Sequence, residues 1–159
     1  MLPNGNLLVT CRYPNALLEM DGDGAIANKI LLPKSVAVPW HAVRLRSGNF
    51  AVRHGSGLNK EHRVCIVDSS GCVTKTYGRK CGSQRDQLNI PCHLAVDEDD
   101  FILVADCLNT RVTLLSPTLT FMLHVIDNMD SRPQRLYLDR DTKRLFVGQR
   151  CGDILVMQL

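Results

Sequence analysis

Apolar positions along this chain fall into short runs separated by turn residues, and one run recurs. Gly-(Asn or Asp)-apolar-apolar-Val, or a close variant of it, ends at Val9, Val52, Val104 and Val147. A period of roughly 40 to 50 residues is the signature of propeller blades, four-stranded units that bury their faces only against their neighbours. The recurrence therefore predicts an all-β chain made of one strand-rich unit, repeated. Repeat arrays of this kind more often bind than catalyse.

Turn chemistry divides each repeat into strands, lettered A to D from the axis outwards. In the third repeat Leu94 to Val96 is expected as strand A, Phe101 to Ala105 as B, Arg111 to Leu115 as C and Phe121 to Ile126 as D. Asp97-Glu98-Asp99-Asp100, Leu108-Asn109 and Ser116-Pro117 supply the turns between them. The second repeat follows the same plan with His41 to Leu45, Phe50 to Arg53, Arg63 to Val67 and Val73 to Tyr77. The first offers B, C and D strands at Leu7 to Thr10, Ala16 to Met20 and Ala25 to Lys29, without an A strand. The fourth offers Leu136 to Leu138, Leu145 to Gly148 and Ile154 to Met157, without a D strand. The expected blades are 1–32 (partial), 39–78, 91–127 and 133–159 (partial), in a single propeller segment over 1–159.

Composition is that of a soluble globular chain, 45% apolar and 22% charged, with no apolar run near the roughly 20 residues needed to cross a bilayer. No membrane association is expected. The opening Met-Leu-Pro-Asn-Gly lacks the basic patch and apolar stretch of a secretory signal, so a cytoplasmic location is expected. The seven cysteines then read as reduced thiols, and no C-x-x-C pair among them points to a zinc ribbon or a redox motif.

Residues 89–115, NIPCHLAVDEDDFILVADCLNTRVTLL, resemble the NHL repeat in their Pro-x-x-(Ile/Leu)-Ala-Val-Asp, (Val)-Ala-Asp and Asn-x-Arg-(Ile/Val). Tyr77-Gly78, Gly82 and Gln87-Leu88-Asn89-Ile90-Pro91 resemble the linker that precedes such a repeat. Cys11 and Gln149 stand where Asp106 does in the third repeat, and the last repeat has no counterpart of Arg111. The resemblance implies a β-propeller of NHL type, similar to the C-terminal domain of tripartite-motif proteins, which usually closes six blades and follows a RING domain, a B-box and a coiled coil. About four blades, the first and last incomplete, would form an open arc or a fragment of such a ring. Two bare blade faces then predict self-association.

In a four-stranded blade the B–C and D–A connections share one rim, and the A–B and C–D hairpins share the other. The extra residues of the second repeat divide between its B–C loop, Val52 to Val64, and its D–A linker, Tyr77 to Pro91. Both insertions lie on one rim, and insertions gathered on one face of a repeat array mark a binding face. That rim is also the basic one. Arg53, Lys60, Arg63, Arg79, Lys80, Arg85, Arg132 and Arg150 are its candidate binding residues, and Trp40, Tyr13 and Tyr77 are the large aromatics nearest to them. A modest overall charge of +3 conceals this polarity, which is the footprint expected for phosphate backbones or acidic peptides. The acids of the opposite rim, among them Asp21, Asp68, Asp97 and Asp139, also suit hairpin turns for purely local reasons.

His41 and His93 occupy identical places two residues after Pro39 and Pro91, on the inner strand near the axis, where the fourth repeat has Arg135. Imidazoles on neighbouring blades could there meet one metal ion, and the resemblance extends to a lyase of peptide amidation that binds zinc through such histidines. The simpler expectation is a structural inner-strand histidine, with no metal and no cofactor. Asp106 and Arg111, at the two ends of one B–C loop, read as a loop-fixing ion pair. No nucleophile elbow or phosphate-cradling loop is present. The sequence thus predicts a non-catalytic recognition module whose basic rim meets a protein or single-stranded RNA, with substrate recognition in a tripartite-motif ubiquitin ligase as one setting. The alternative is a zinc-dependent, lyase-like propeller enzyme with axial histidines.

Overall fold

The structure is a computed structural model that describes residue 2, residues 4–55 and residues 61–159. Its strands are β1 (Leu7–Arg12), β2 (Asn15–Met20), β3 (Ile26–Leu31), β4 (His41–Arg44), β5 (Phe50–His54), β6 (Arg63–Val67), β7 (Val73–Tyr77), β8 (Pro91–Val96), β9 (Ile102–Asp106), β10 (Arg111–Leu115), β11 (Phe121–Ile126), β12 (Pro133–Asp139), β13 (Arg144–Gln149) and β14 (Ile154–Gln158). They form four antiparallel sheets in the orders β1-β2-β3, β4-β5-β6-β7, β8-β9-β10-β11 and β12-β13-β14. The sheets pack in chain order, β1 on β4, β4 and β5 on β8, and β8 and β9 on β12. That succession is a partial β-propeller, with three-stranded first and last blades as the repeats predict.

Each core lies between two blades, and strand alternation feeds both. β5 sends Phe50 and Val52 into the seam with the first blade, beside Leu17, Ile30 and Val36, and sends Ala51 into the seam with the third. A third seam joins Leu103 and Ala105 to Leu136, Leu145 and Val147. Strands with two buried faces read as continuous apolar runs, which is why β5 and β9 carry the recurrent motif. Burying one Val, Leu or Phe contributes about 1.5–3 kcal/mol, so each seam outweighs any single hydrogen bond across it. The outer strands face solvent, with Thr74, Lys75 and Thr76 exposed on β7.

The two end faces have no such partner among the described residues. Leu7, Ile26 and Leu31 are exposed on the first sheet, and Tyr137, Ile154 and Val156 on the fourth. Between the inner strands lies a cavity of about 1110 Å³, bordered by Leu7, Leu8, His41, Val43, Leu45 and Tyr137. At the second blade's C–D hairpin, Gly71 (φ +90°) lies so close to the Leu31 carbonyl that a Cβ would overlap it, so this turn requires glycine for space as well as for backbone angle. Among the described residues no helix is long and apolar enough to cross a membrane.

The strands begin and end close to their expected places, with one systematic difference. β8 starts at Pro91 and β12 at Pro133, ahead of Leu94 and Leu136, because these prolines pair with Asp106 and Gln149 at the ends of the neighbouring B strands. Proline is tolerated there as the first residue of a strand, where its missing N–H breaks no ladder.

Candidate functional site

The axial histidines hold blades together. The Leu94 N–H of the third blade donates to His41 Nδ1 at 3.2 Å, and the Leu136 N–H of the fourth donates to His93 Nδ1 at 3.4 Å. The two rings stack with centroids 3.9 Å apart. Burial lowers His41 to about 3, with further push from His93, Arg53 and Arg135, and lowers His93 to about 4, followed by Arg135 and Arg53. Both rings are therefore neutral, and a neutral ring whose Nδ1 accepts must carry its proton on Nε2. That tautomer offers no lone pair from either nitrogen to a metal. Among the described residues no group of three or more His, Cys, Asp or Glu side chains is placed to hold a metal ion.

Asp106 and Arg111 form the loop-fixing pair expected of them, at 2.8 Å and fully within the protein. Their reach is longer than one loop. Arg111 also donates to the carbonyls of Ser83 and Gln87, and Asp106 accepts from the Asn89 N–H at 2.6 Å. The Tyr77 hydroxyl donates to the Arg85 carbonyl, and the His62 ring accepts from the Ile90 N–H. The D–A linker of the second blade is thus pinned from several sides, and its basic side chains project from a fixed backbone.

The two inserted loops meet. Glu61 and Lys80 form a β-bridge, and the His62 N–H donates to the Arg79 carbonyl at 3.3 Å. This joins Arg63, Arg79, Lys80 and Arg85 on one surface. Arg63 is half-buried against Glu61 at 3.0 Å, Arg79 is exposed and 3.5 Å from Asp86, and Arg85 lies 4.6 Å over the Phe121 ring. Arg132 and Arg150 are exposed farther along the same rim, linked through the Arg150 N–H and the Arg132 carbonyl. Lys60 lies outside the described residues.

Arg53 is a correction. It is not a rim side chain but is 8% exposed in the seam between the second and third blades. The reason is strand parity: Arg53 follows Val52 and so shares the face of Ala51, which points into that seam. Its cross-strand neighbour is His41. Trp40 stands over it, with the Arg53 guanidinium 5.2 Å and the Arg12 guanidinium 3.4 Å from the indole centroid. Arg12 and Arg135 were not singled out as binding residues, although the small residues Thr10, Ala105 and Gly148 at the places matching Arg53 were a readable signal that it is unusual.

The opposite rim uses its charges internally. Asp21, Asp68, Asp97 and Asp139 each accept backbone N–H groups within their own turns, as turn chemistry requires. Asp100 accepts from the Arg46 N–H of the second blade at 2.7 Å, Arg46 donates to the Glu98 carbonyl, and Arg140 of the fourth blade donates to the Val96 carbonyl.

No protein-family model matches the chain, and comparison with curated proteins finds no relative. Solved structures do resemble it. Virginiamycin B lyase from Staphylococcus aureus aligns at a TM-score of 0.62 and 13% identity, over 99% of this chain and 53% of that one. Hydrazine synthase of Kuenenia stuttgartiensis aligns at 0.69 and 13% identity, over 100% of this chain and 57% of that one. The computationally designed Ika4 protein aligns at 0.60 and 9% identity, over 99% and 88%. The chain spans a little over half the length of the two natural proteins. Likeness at these identities establishes the propeller fold and carries no activity with it.

Proposed function

We propose that the chain is a recognition module of NHL type, without catalysis of its own, whose basic rim binds single-stranded RNA. The observation that carries this reading is the meeting of the two inserted loops at the Glu61–Lys80 bridge, which gathers Arg63, Arg79, Lys80 and Arg85 on one fixed surface. Arg132 and Arg150 extend the basic track, and Tyr13, 92% exposed, stands on the same rim as a stacking platform. A cationic groove with aromatic faces beside it is the general design for holding single strands. The NHL repeat signature at residues 89–115 supports the family assignment, and a tripartite-motif ubiquitin ligase is the setting in which the same rim would meet a protein. The non-catalytic reading rests on the axial histidines, whose Nδ1 atoms are taken by backbone N–H groups.

The test is fluorescence anisotropy with a labelled single-stranded RNA at several salt concentrations, using wild type and the triple variant Arg79→Ala/Lys80→Ala/Arg85→Ala. Each phosphate contact contributes roughly 0.7 to the slope of log affinity against log salt for single strands, so losing three lowers the slope by about 2. Unchanged RNA affinity in the triple variant, or no binding at low salt, overturns the RNA reading and leaves a protein partner as the occupant of the rim.

A further inference from the structure

The second-to-third seam holds a buried cation, Arg53. Three blades place a small residue at this point of the B strand, Thr10, Ala105 and Gly148, and the second places a guanidinium. Arg53 is 8% exposed and its Nε has no hydrogen-bond partner. No carboxylate pairs with it among the described residues. Arg63 also leaves its Nε unbonded, but Glu61 takes up its charge at 3.0 Å. An uncompensated buried cation carries a desolvation penalty of several kcal/mol, which a bound anion would offset.

The surroundings of Arg53 are those of an anion site. Burial lowers Arg53 to about 10, and the groups that act on it beyond burial are the thiols Cys92 and Cys107 and the cations Arg12 and Arg135, none of them a carboxylate. Arg12 shares the Trp40 ring with it, 3.4 Å from the centroid against 5.2 Å for Arg53. Arg12 and Arg135, both exposed, add positive charge around the buried guanidinium. His41, its cross-strand neighbour, has Nδ1 filled and is left with an Nε2–H donor. The Cys92 thiol is lowered to about 7 by the Cys107 thiol and then by Arg53 and Arg135, and it offsets part of the Arg53 charge.

We propose that Arg53, with the exposed Arg12 and Arg135, forms an oxyanion site that takes one phosphate group of a nucleotide. Three guanidinium groups favour a tetrahedral, multiply charged anion over a single carboxylate, because each planar fork can engage two oxygens. The exposed Tyr13 on the same rim gives the attached base a face to stack on. This deepens the RNA reading of the rim, on which its biological ligand rests, while the phosphate site itself stands on Arg53.

Trp40 is the single tryptophan, so its emission reports this site without a label. Titrations with inorganic phosphate and with adenosine monophosphate, at ionic strength held constant with sodium chloride, are expected to give a saturable change in Trp40 emission. Arg53→Met is expected to weaken that response by about tenfold or more, as loss of a hydrogen-bonded charge does. In phosphate-free buffer the same variant should melt no lower than wild type, because an uncompensated buried charge has been removed. If Arg53→Met fails to fold, the exposed Arg12→Gln and Arg135→Gln variants carry the test, each weakening the response severalfold. Absence of a saturable response in wild type, or a response unchanged in these variants, overturns the proposal. RNA anisotropy on the same proteins keeps the two readings apart: a chain that binds no RNA but shows the Arg53-dependent phosphate response loses the rim reading and keeps the site.

Discussion

Replacing His41 with Gln leaves a side-chain acceptor for the Leu94 N–H and removes a group that titrates. His41 is held to about 3 in the folded chain, first by burial and then by His93, Arg53 and Arg135, against 6.5 for the free imidazole. The unfolded chain binds a proton below pH 6.5 and the folded chain does not. A depressed folded value therefore means stability that is complete above pH 6.5 and is lost as pH falls towards 3. Each pH unit in that window removes about 1.4 kcal/mol per histidine, so at pH 5 the deficit from His41 is about 2 kcal/mol. His93, held to about 4, contributes a similar amount over the same interval. Urea unfolding followed by circular dichroism at pH 7 and pH 5 measures this directly. Wild type should lose about 2 kcal/mol more than His41→Gln between the two pH values, and about 4 kcal/mol more than the His41→Gln/His93→Gln double variant. His54, His62 and His124, also lowered by burial, are common to all three proteins and cancel in the comparison. Identical pH dependence in wild type and the double variant would refute the assignment of both rings as neutral acceptors between blades.

Arg111→Met leaves the Asp106 carboxylate buried without its cation and should destabilise the chain by about 3–5 kcal/mol in urea unfolding, with a loss below about 1 kcal/mol contradicting the linker-pinning role. Elemental analysis of purified protein should find no stoichiometric zinc, since Nε2 of both axial histidines carries the proton; one tightly held metal per chain would overturn that tautomer and favour the enzyme reading. The exposed apolar side chains Leu7, Ile26 and Leu31 on one end face and Tyr137, Ile154 and Val156 on the other predict that the 159-residue chain self-associates, and a monodisperse monomer in light scattering would contradict this.

Strand positions were legible because each B strand announces itself as an apolar run ending at Val9, Val52, Val104 or Val147, and the two B strands of the inner blades, β5 and β9, are buried on both faces. The Asp106–Arg111 pair and the equivalence of His41 and His93 were legible for a related reason, since repetition aligns residues that perform the same task. What repetition did not reveal was which residues break it. Arg53 stands at the end of a strand, and the loop that follows made it look like a rim residue. The alternation of Phe50 and Val52 against Ala51 already placed it in the seam, so the signal was present but was outweighed by proximity to a basic loop. The braces from Arg46 to Glu98 and Asp100 had no local signal, because they join residues more than one blade period apart.

The polarity between the rims has two separate physical causes. On the hairpin rim, carboxylates accept N–H groups inside their own turns and arginines reach carbonyls of the next blade, so charge there is spent on turn geometry and on blade alignment. On the loop rim, Lys80, Arg132 and Arg150 make no ion pair among the described residues, and Arg79 has one exposed partner at 3.5 Å, a contact worth little in water. Neutralising the first set would loosen the arc, whereas neutralising the second would leave the fold intact and change only what the surface attracts. Arg53 belongs to neither set. It is buried like a structural group yet has no carboxylate partner among the described residues, and a bound anion would offset the desolvation cost of that arrangement.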